Sequence, residues 1–505
     1  MTNNRSPATS EAMWLFTIAF AVICIVLYRM TQPPPALRNV PRVPVSELLY
    51  SYVTGEGEDQ RAKRVLLPFA VKMQVDVVLV WCFGHWMIHV VDSKAGKGFM
   101  ENRSFKKQSP REETLLWHFT GRQNIFFSEG EQWKKHSKIF RAALQRTTPV
   151  GHFVALSRKL VSIIGDGGRV RWNDYTHRFT LDAVGKTTLG FDFEALDDPE
   201  SPFVRLYHDV MASVSQPAFI FVPSLERWIS RNGVRRKVDA LLERFEELLT
   251  RKKREPGNDV ITYFYDDADM TRKEIRDNVV VLFMAGHVSG ISWQYYQRSH
   301  SSYQETTAGA LSTLFYYMGC CTDVQQRARA EVLSVVQASE DLTLEHLGRM
   351  PFLSSVIREA MRLNNPSNIT VPRIAAVPVQ IGSILVPPGT PVTLNMYAVL
   401  HNERLWSDPC SFEPRRFLSQ NAELDNDQHW MPFGHGPHQC PARNFAMMEQ
   451  RTLAAVMLME FEWEIPSDSI HLHGVRNAFS SFALNLPFDM DILFRRRREG
   501  IVRAN

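Results

Sequence analysis

The stretch from Met431 to Met459, MPFGHGPHQCPARNFAMMEQRTLAAVMLM, constrains this chain more than any other. Its first half is rich in turn residues, with Gly434, Gly436 and Pro437, and its second half carries Phe445, Met448, Ala455 and Met459 at helical spacing. Pro441 is expected at the first helical position, where its missing N–H costs nothing. Cys440 is thereby delivered by a loop to a helix N-terminus. Unpaired N–H groups and partial positive charge there favour a thiolate, the form that ligates metals. Loop glycines let the backbone approach a flat partner and aim N–H groups at the sulfur. No C-x-x-C partner is present, and His435 and His438 do not complete a zinc-ligand spacing. The cysteine alone leaves two readings open, an inert buried thiol or a single-thiolate metal site.

The surrounding pattern favours the second. Phe433, Gly436, His438, Cys440 and Ala442 resemble the haem-binding signature of the cytochrome P450 family, F-x-x-G-x-[R/H]-x-C-x-G, with Ala442 in place of the last glycine. The resemblance implies that Cys440 is the axial ligand of a haem iron, in iron protoporphyrin IX. It places Phe433 and Gly436 in the cofactor-binding loop and gives His438 a hydrogen bond or charge pairing with a haem propionate.

Three further motifs stand in family order. Glu131 and Ser128 form a capping-box pattern that opens a helix, EQWKKHSKIFRAAL. On this helix the family places a tryptophan and, four residues later, an arginine against the propionates. Trp133 matches, whereas Ser137 stands where the arginine belongs, with His136 or Lys138 as substitutes. In Glu359-Ala360-Met361-Arg362, spacing of three puts both charges on one helix face. The resemblance pairs them with Arg416 of a later Phe412, Pro414, Arg416, Phe417 segment, as a structural lock before the cysteine loop. Arg373, at the start of a β-rich region, is a further propionate contact on the same reading.

The remaining motif is broken. The family's A-G-x-[D/E]-T-[T/S] is matched by Ala285, Gly286 and His287, then by Glu305, Thr306 and Thr307, with Val288 to Gln304 between them. Seventeen residues added to a helix turn the second half by roughly 260° and shift it about 25 Å, so the segment cannot simply lengthen it. VSGISWQYYQRSHSSYQ is serine-rich and lacks an apolar stripe. At three nucleotides per codon its length is 51, in frame and typical of a short fungal intron; valine codons begin GT and a glutamine codon can end AG. Residues 288–304 are therefore read as an unspliced intron, with a genuine looped insertion as the alternative.

At 505 residues and 44% hydrophobic content the chain can bury a large core. A net charge of +4, evenly spread, gives no nucleic-acid partner, and the runs Arg251–Arg254 and Arg495–Arg498 read as solvated faces. Six cysteines without disulfide spacing suit a reducing compartment. From Trp14 to Tyr28 the chain is apolar and uncharged, with Arg29, Arg38 and Arg42 following. The run is slightly short for a bilayer, but no small-residue cleavage site follows it. It is read as an uncleaved single-pass anchor (residues 1–30) with the body cytosolic. A proline-rich tether (31–45) and a catalytic domain (46–505) come after.

The resemblance implies a mainly α fold with a small β region and a fungal microsomal enzyme of the endoplasmic reticulum membrane. The expected activity is monooxygenation of a lipophilic small molecule, as in secondary metabolism. Dioxygen and electrons from NADPH would arrive through a membrane-bound flavoprotein reductase. Glu305 and Thr306 would be catalytic, relaying protons. A haem-thiolate isomerase or peroxygenase, and a catalytically impaired haem binder if residues 288–304 are translated, are the competing readings.

Overall fold

Helices drawn from distant parts of the chain form the layer that supports the Cys440 loop. The computed structural model describes residues 14–497 apart from 15, 19, 23–24, 26–27, 83–84, 147–148, 268, 286–305, 338–339 and 419–427. In chain order the helices that position the site are α1 (Val45–Thr54), α2 (Glu58–Arg61), α3 (Ser93–Glu101), α4 (Gly130–Arg146), α5 (Val150–Ile164) and α6 (Trp172–Val184). After them come α7 (Arg272–Ala285), α8 (Thr306–Cys320), α9 (Thr322–Val335), α10 (Pro351–Leu363) and α11 (Arg443–Glu460).

α11 packs on α5, α8, α9 and α10, and α8 packs on α6 and α10. Leu160, Phe179, Leu311, Leu314, Val356, Leu453 and Met457 meet in one cluster and are almost wholly shielded from solvent. Each such side chain contributes about 1.5–3 kcal/mol by its burial. α10 shows how local sequence sets this up. Pro351 opens the helix, and Phe352, Leu353, Val356, Ile357, Ala360 and Met361 recur at helical spacing and are buried. The amides of Phe352 and Leu353 donate to the Glu331 carboxylate of α9, both at 2.8 Å, so an acid from the neighbouring helix caps the first turn.

α10 also carries a buried ion pair. Arg362 donates to Glu359 through Nε at 2.8 Å and Nη2 at 2.9 Å, and neither side chain is exposed. Arg416 Nε reaches the same carboxylate at 3.2 Å. Arg362 Nη1 donates to the carbonyls of Leu400 and Pro409, and Nη2 also to that of Ser411. The segment leading toward the cysteine loop is thereby tied to α10.

Twelve strands are described. β1 (Val77–Cys82), β2 (His85–Val90), β8 (Val392–Leu394), β5 (Arg373–Ala375) and β3 (Phe105–Lys107) form a five-stranded sheet in that order. The β1–β2 pair is an antiparallel hairpin, β2 and β8 run parallel, and β5 pairs antiparallel with both β8 and β3. β4 (Gly167–Arg171), β12 (Asp491–Arg496) and β9 (Phe461–Glu464) make a three-stranded sheet. Two ribbons, β6 (Val379–Ile381) with β7 (Ile384–Val386) and β10 (Asn477–Ala478) with β11 (Leu486–Pro487), complete the set.

Two helix starts differ from expectation. α4 begins at Gly130, whose φ of +59° turns the chain before the first helical turn. The Ser128–Glu131 capping box does not form: Ser128 Oγ is buried without a partner among the described residues, and Glu131 pairs with Lys134. α11 opens at Arg443 with Ala442 as its cap, and Pro441 lies in the preceding turn. No helix among the described residues is long and apolar enough to cross a membrane. The Trp14–Tyr28 run is covered in part, and its described residues are helical and exposed. Gly286, His287, the Val288–Gln304 segment and Glu305 lie outside the described residues.

Candidate active site

A cavity of about 670 Å³ is lined by residues of α8, α11 and the five-stranded sheet. Cys440 opens onto it. Its amide donates to Phe433 O at 3.0 Å, closing a loop in which Gly434 and Gly436 take φ values of +73° and +74°. A Cβ at Gly436 would stand 3.3 Å from Glu101 Cγ and 3.5 Å from Met100 O, so glycine lets the loop lie close against α3. Phe433 lines the cavity beside Cys440. Burial pushes the Cys440 thiol up, against the lowering effect of the Ala442 N–H. α11 starts three residues further along, so Cys440 precedes the helix instead of standing at its first position.

Across the cavity α8 presents Thr306, its first residue, with Thr307 and Ala310. Trp133 and Ser137 of α4 line the cavity, and the Trp133 ring lies 4.0 Å from that of His438. His136, expected as a propionate contact, does not line it. One position before Ser137, and so about 100° around the helix, it is fully buried with Nε2 3.2 Å from Glu274 Oε1. The Ser137 side chain is too short to replace an arginine, and no neighbour on α4 takes that place.

The missing charge comes from elsewhere. Lys107 of β3 and Arg373 of β5 are directly paired across the sheet, and both line the cavity with His438. Burial, aided by the Arg373 charge and opposed by Glu129, pushes Lys107 down to about 8. Arg373 is also lowered by burial. Burial and the Lys107 and Arg373 charges push His438 down to about 3, and its Nδ1 has no partner among the described residues. Arg373 Nη1 donates to Met100 O at 3.0 Å, and Lys107 Nζ to the carbonyls of Ile125 and Phe126 at 3.1 and 2.9 Å. Like charges facing each other on a sheet repel, and buried charge is costly until paired. The cluster therefore suits an anionic group held in the cavity. With a cysteine, a flanking aromatic ring and close-lying glycine backbone beside it, the residues fit a flat, metal-centred group bearing carboxylates at its edge.

Sequence reasoning missed Lys107, because β3 meets β5 only through pairing across most of the chain. It also missed Glu449 and Gln450 of α11, which line the cavity with one oxygen each unpartnered among the described residues. Burial raises the Glu449 carboxyl well above the usual range. Arg61 and His89, further along the cavity, had no local signal either.

A family model described as Cytochrome P450 matches residues 68–297 and 302–481. Cytochrome P450 monooxygenase xanG of Aspergillus fumigatus is 23% identical over 494 residues, covering 90% of this chain and 87% of that protein. Cytochrome P450 71A8 of Mentha piperita is 25% identical over 392 residues, covering 74% and 75%. The solved structure of the cytochrome P450DA heme domain superposes with a TM-score of 0.76 at 21% identity, covering 91% of this chain and 97% of that one.

Proposed function

We propose that this chain, which belongs to the cytochrome P450 family, oxidises a lipophilic small molecule held above a haem bound at Cys440. The family is one of haem-thiolate monooxygenases, and the chain is accordingly an oxidoreductase that uses haem, dioxygen and electrons derived from NADPH. The observation that carries the residue assignment is the convergence of Cys440, Trp133, His438, Lys107 and Arg373 on one cavity opposite Thr306.

In this reading Cys440 would ligate the iron, Trp133 and His438 would pack beside the group, and Lys107, Arg373 and His438 would bind its carboxylates. Bound haem supplies the activation of dioxygen. The protein's own part is positioning and proton handling. Thr306 Oγ1 offers a hydroxyl at the α8 wall that accepts and passes a proton, with Glu305 as the preceding member of the relay. Val281, Leu282 and Met284 of α7, with Ala310 and Phe445, give the cavity its apolar wall, which excludes water and holds an apolar substrate body.

The reading extends to oxidation of a secondary metabolite and to a membrane-bound flavoprotein reductase as electron donor. An anchor at Trp14–Tyr28 in the endoplasmic reticulum membrane is part of it, supported by the uncharged run and its exposed helical residues. Residues 288–304 are proposed to be intron-derived, supported by the way they split the family's A-G-x-[D/E]-T-[T/S] signature between His287 and Glu305.

Cys440→Ser and Thr306→Ala test the assignment. The first should abolish the thiolate-type carbon monoxide spectrum together with turnover. The second should keep the spectrum and lower product formation about a hundredfold. A normal spectrum in Cys440→Ser would remove this cysteine from the iron.

A further inference from the structure

The cavity carries a second polar group of residues that the proposed reaction does not use. Tyr52 of α1, Glu58 and Arg61 of α2, Cys82 of β1 and His89 of β2 line it. Apolar side chains of Val80, Met87, Ile220 and Phe221 stand among them. In the sheet order β2 lies two strands from β5 and three from β3. At a strand spacing of about 4.8 Å, His89 is thus roughly 10 Å from the Arg373 strand and 14 Å from the Lys107 strand. The second cluster sits toward the opposite edge of the sheet from the cations that suit the haem propionates.

Two of its members each carry one buried N–H donor with no acceptor among the described residues. Arg61 is 8% exposed and His89 3%. Arg61 pairs with Glu58 through Nη2 and lies over the Tyr52 ring at 4.6 Å, while its Nη1 has no partner among the described residues. For His89 the hydrogen-bond network fixes the tautomer. Asn395 Oδ1 accepts from the Ala398 amide at 2.8 Å, which leaves Asn395 Nδ2 to donate to His89 Nδ1 at 3.2 Å. Burial, helped by the Arg61 charge, pushes His89 down to about 3, so the ring is neutral and its one proton sits on Nε2. That Nε2 also has no partner among the described residues.

Charge narrows what can satisfy the pair. Glu58 already answers the Arg61 guanidinium, so a ligand carboxylate would be set beside a second carboxylate. A neutral acceptor oxygen meets both N–H groups at no such cost. Leaving them unmet is expensive, since each is a desolvated donor. We infer that this end of the cavity binds the carbonyl oxygen of the substrate, a ketone, ester or lactone, which accepts from Arg61 Nη1 and His89 Nε2. The apolar body of the substrate then runs from this end of the cavity toward Cys440 and Thr306. This inference rests on the monooxygenase reading and adds a substrate class and an orientation to it.

Equilibrium dialysis of the haem-loaded enzyme against 2-decanone, decane and decanoate tests the site directly. The ketone should bind about tenfold or more tighter than the alkane, and tighter than the carboxylate. In Arg61→Met and in His89→Phe the ketone preference should shrink to within about twofold, with decane binding unchanged. His89→Gln, which keeps an N–H donor, should retain it. Equal binding of ketone and alkane to the wild type overturns the inference. Tightest binding of decanoate, or a preference that survives both donor-removing variants, does so too. A carbon monoxide spectrum taken on the same samples separates the two layers. Its absence would defeat the monooxygenase reading while the dialysis still decides the carbonyl site.

Discussion

Lys107 and Arg373 face each other across adjacent antiparallel strands, and both side chains line the cavity that Cys440 opens onto. A cross-strand pair of like charges weakens a sheet unless an anion lies between them. Glu129 lies near both cations, and an occupant bearing carboxylates would add to that pairing, so the two residues should matter more to the filled protein than to the empty one.

Lys107→Met makes that difference measurable. Without haem the variant should lose little stability, because relief of the repulsion with Arg373 offsets the loss of the Nζ bonds to the Ile125 and Phe126 carbonyls. With haem it should lose a charge-assisted contact and release the cofactor about tenfold more readily. Thermal midpoints of the haem-free chain, and transfer of haem to an acceptor globin, give the two readings. Equal haem transfer by variant and wild type would remove Lys107 from the propionate site.

Glu359→Ala and Arg416→Ala separate the two cations on one carboxylate. The first strands Arg362 as an unpaired charge in a fully shielded position and should cost about 3–5 kcal/mol. The second leaves the Glu359–Arg362 pair intact and should cost roughly 1 kcal/mol. Denaturant midpoints of the two variants should fall in that order, and the reverse order would show that Arg416 holds the segment.

Asp59 provides a pH signature. It is 7% exposed, accepts from Asn477 Nδ2 at 2.9 Å, and burial pushes its carboxyl from 3.8 up to about 6. Below about pH 4 it is protonated folded or unfolded and has no effect. Between about pH 4 and 6 the unfolded chain ionises first, so the wild type loses stability as pH rises, and above about 6 the loss is complete. Asp59→Asn removes this ionisation. Its advantage over wild type should be absent at pH 4, grow to at most about 3 kcal/mol by pH 6.5, and then level off. Urea midpoints measured across that range would contradict the assignment if the difference were flat.

Deleting residues 288–304 should leave a chain that takes up haem and turns over substrate at least as well as the full one. Sequencing the mature transcript across the codons for Ala285 to Ala308 should show the 51-nucleotide segment missing. A dominant transcript that retains it would make the segment part of the protein.

Much of this architecture was legible because its signals are local. Glu359 and Arg362 at a spacing of three announce one face of α10, and the EQWKKHSKIFRAAL stretch announces α4. The Cys440 loop is equally local, with two glycines and an aromatic residue within eight positions. What was not legible depends on partners far along the chain. Lys107 gains its meaning only from Arg373, and His89 from Asn395. His136 and Ser137 show the same limit at close range. The turn at Gly130 and the packing of Glu274 decide which neighbour on α4 faces the cavity, and spacing from Trp133 alone does not reveal this.

The five-stranded sheet also fixes when this site can come into being. β2 takes its neighbour β8 from roughly 300 residues further along, and the Lys107 strand waits for β5 over nearly as long a stretch. During synthesis the N-terminal hairpin therefore emerges with one edge open, and the sheet side of the cavity stays unfinished until β5 and β8 have left the ribosome, with Cys440 later still. Cofactor capture in this protein is a late event, and for most of its time as a nascent chain the exposed strand edge is a target for chaperones.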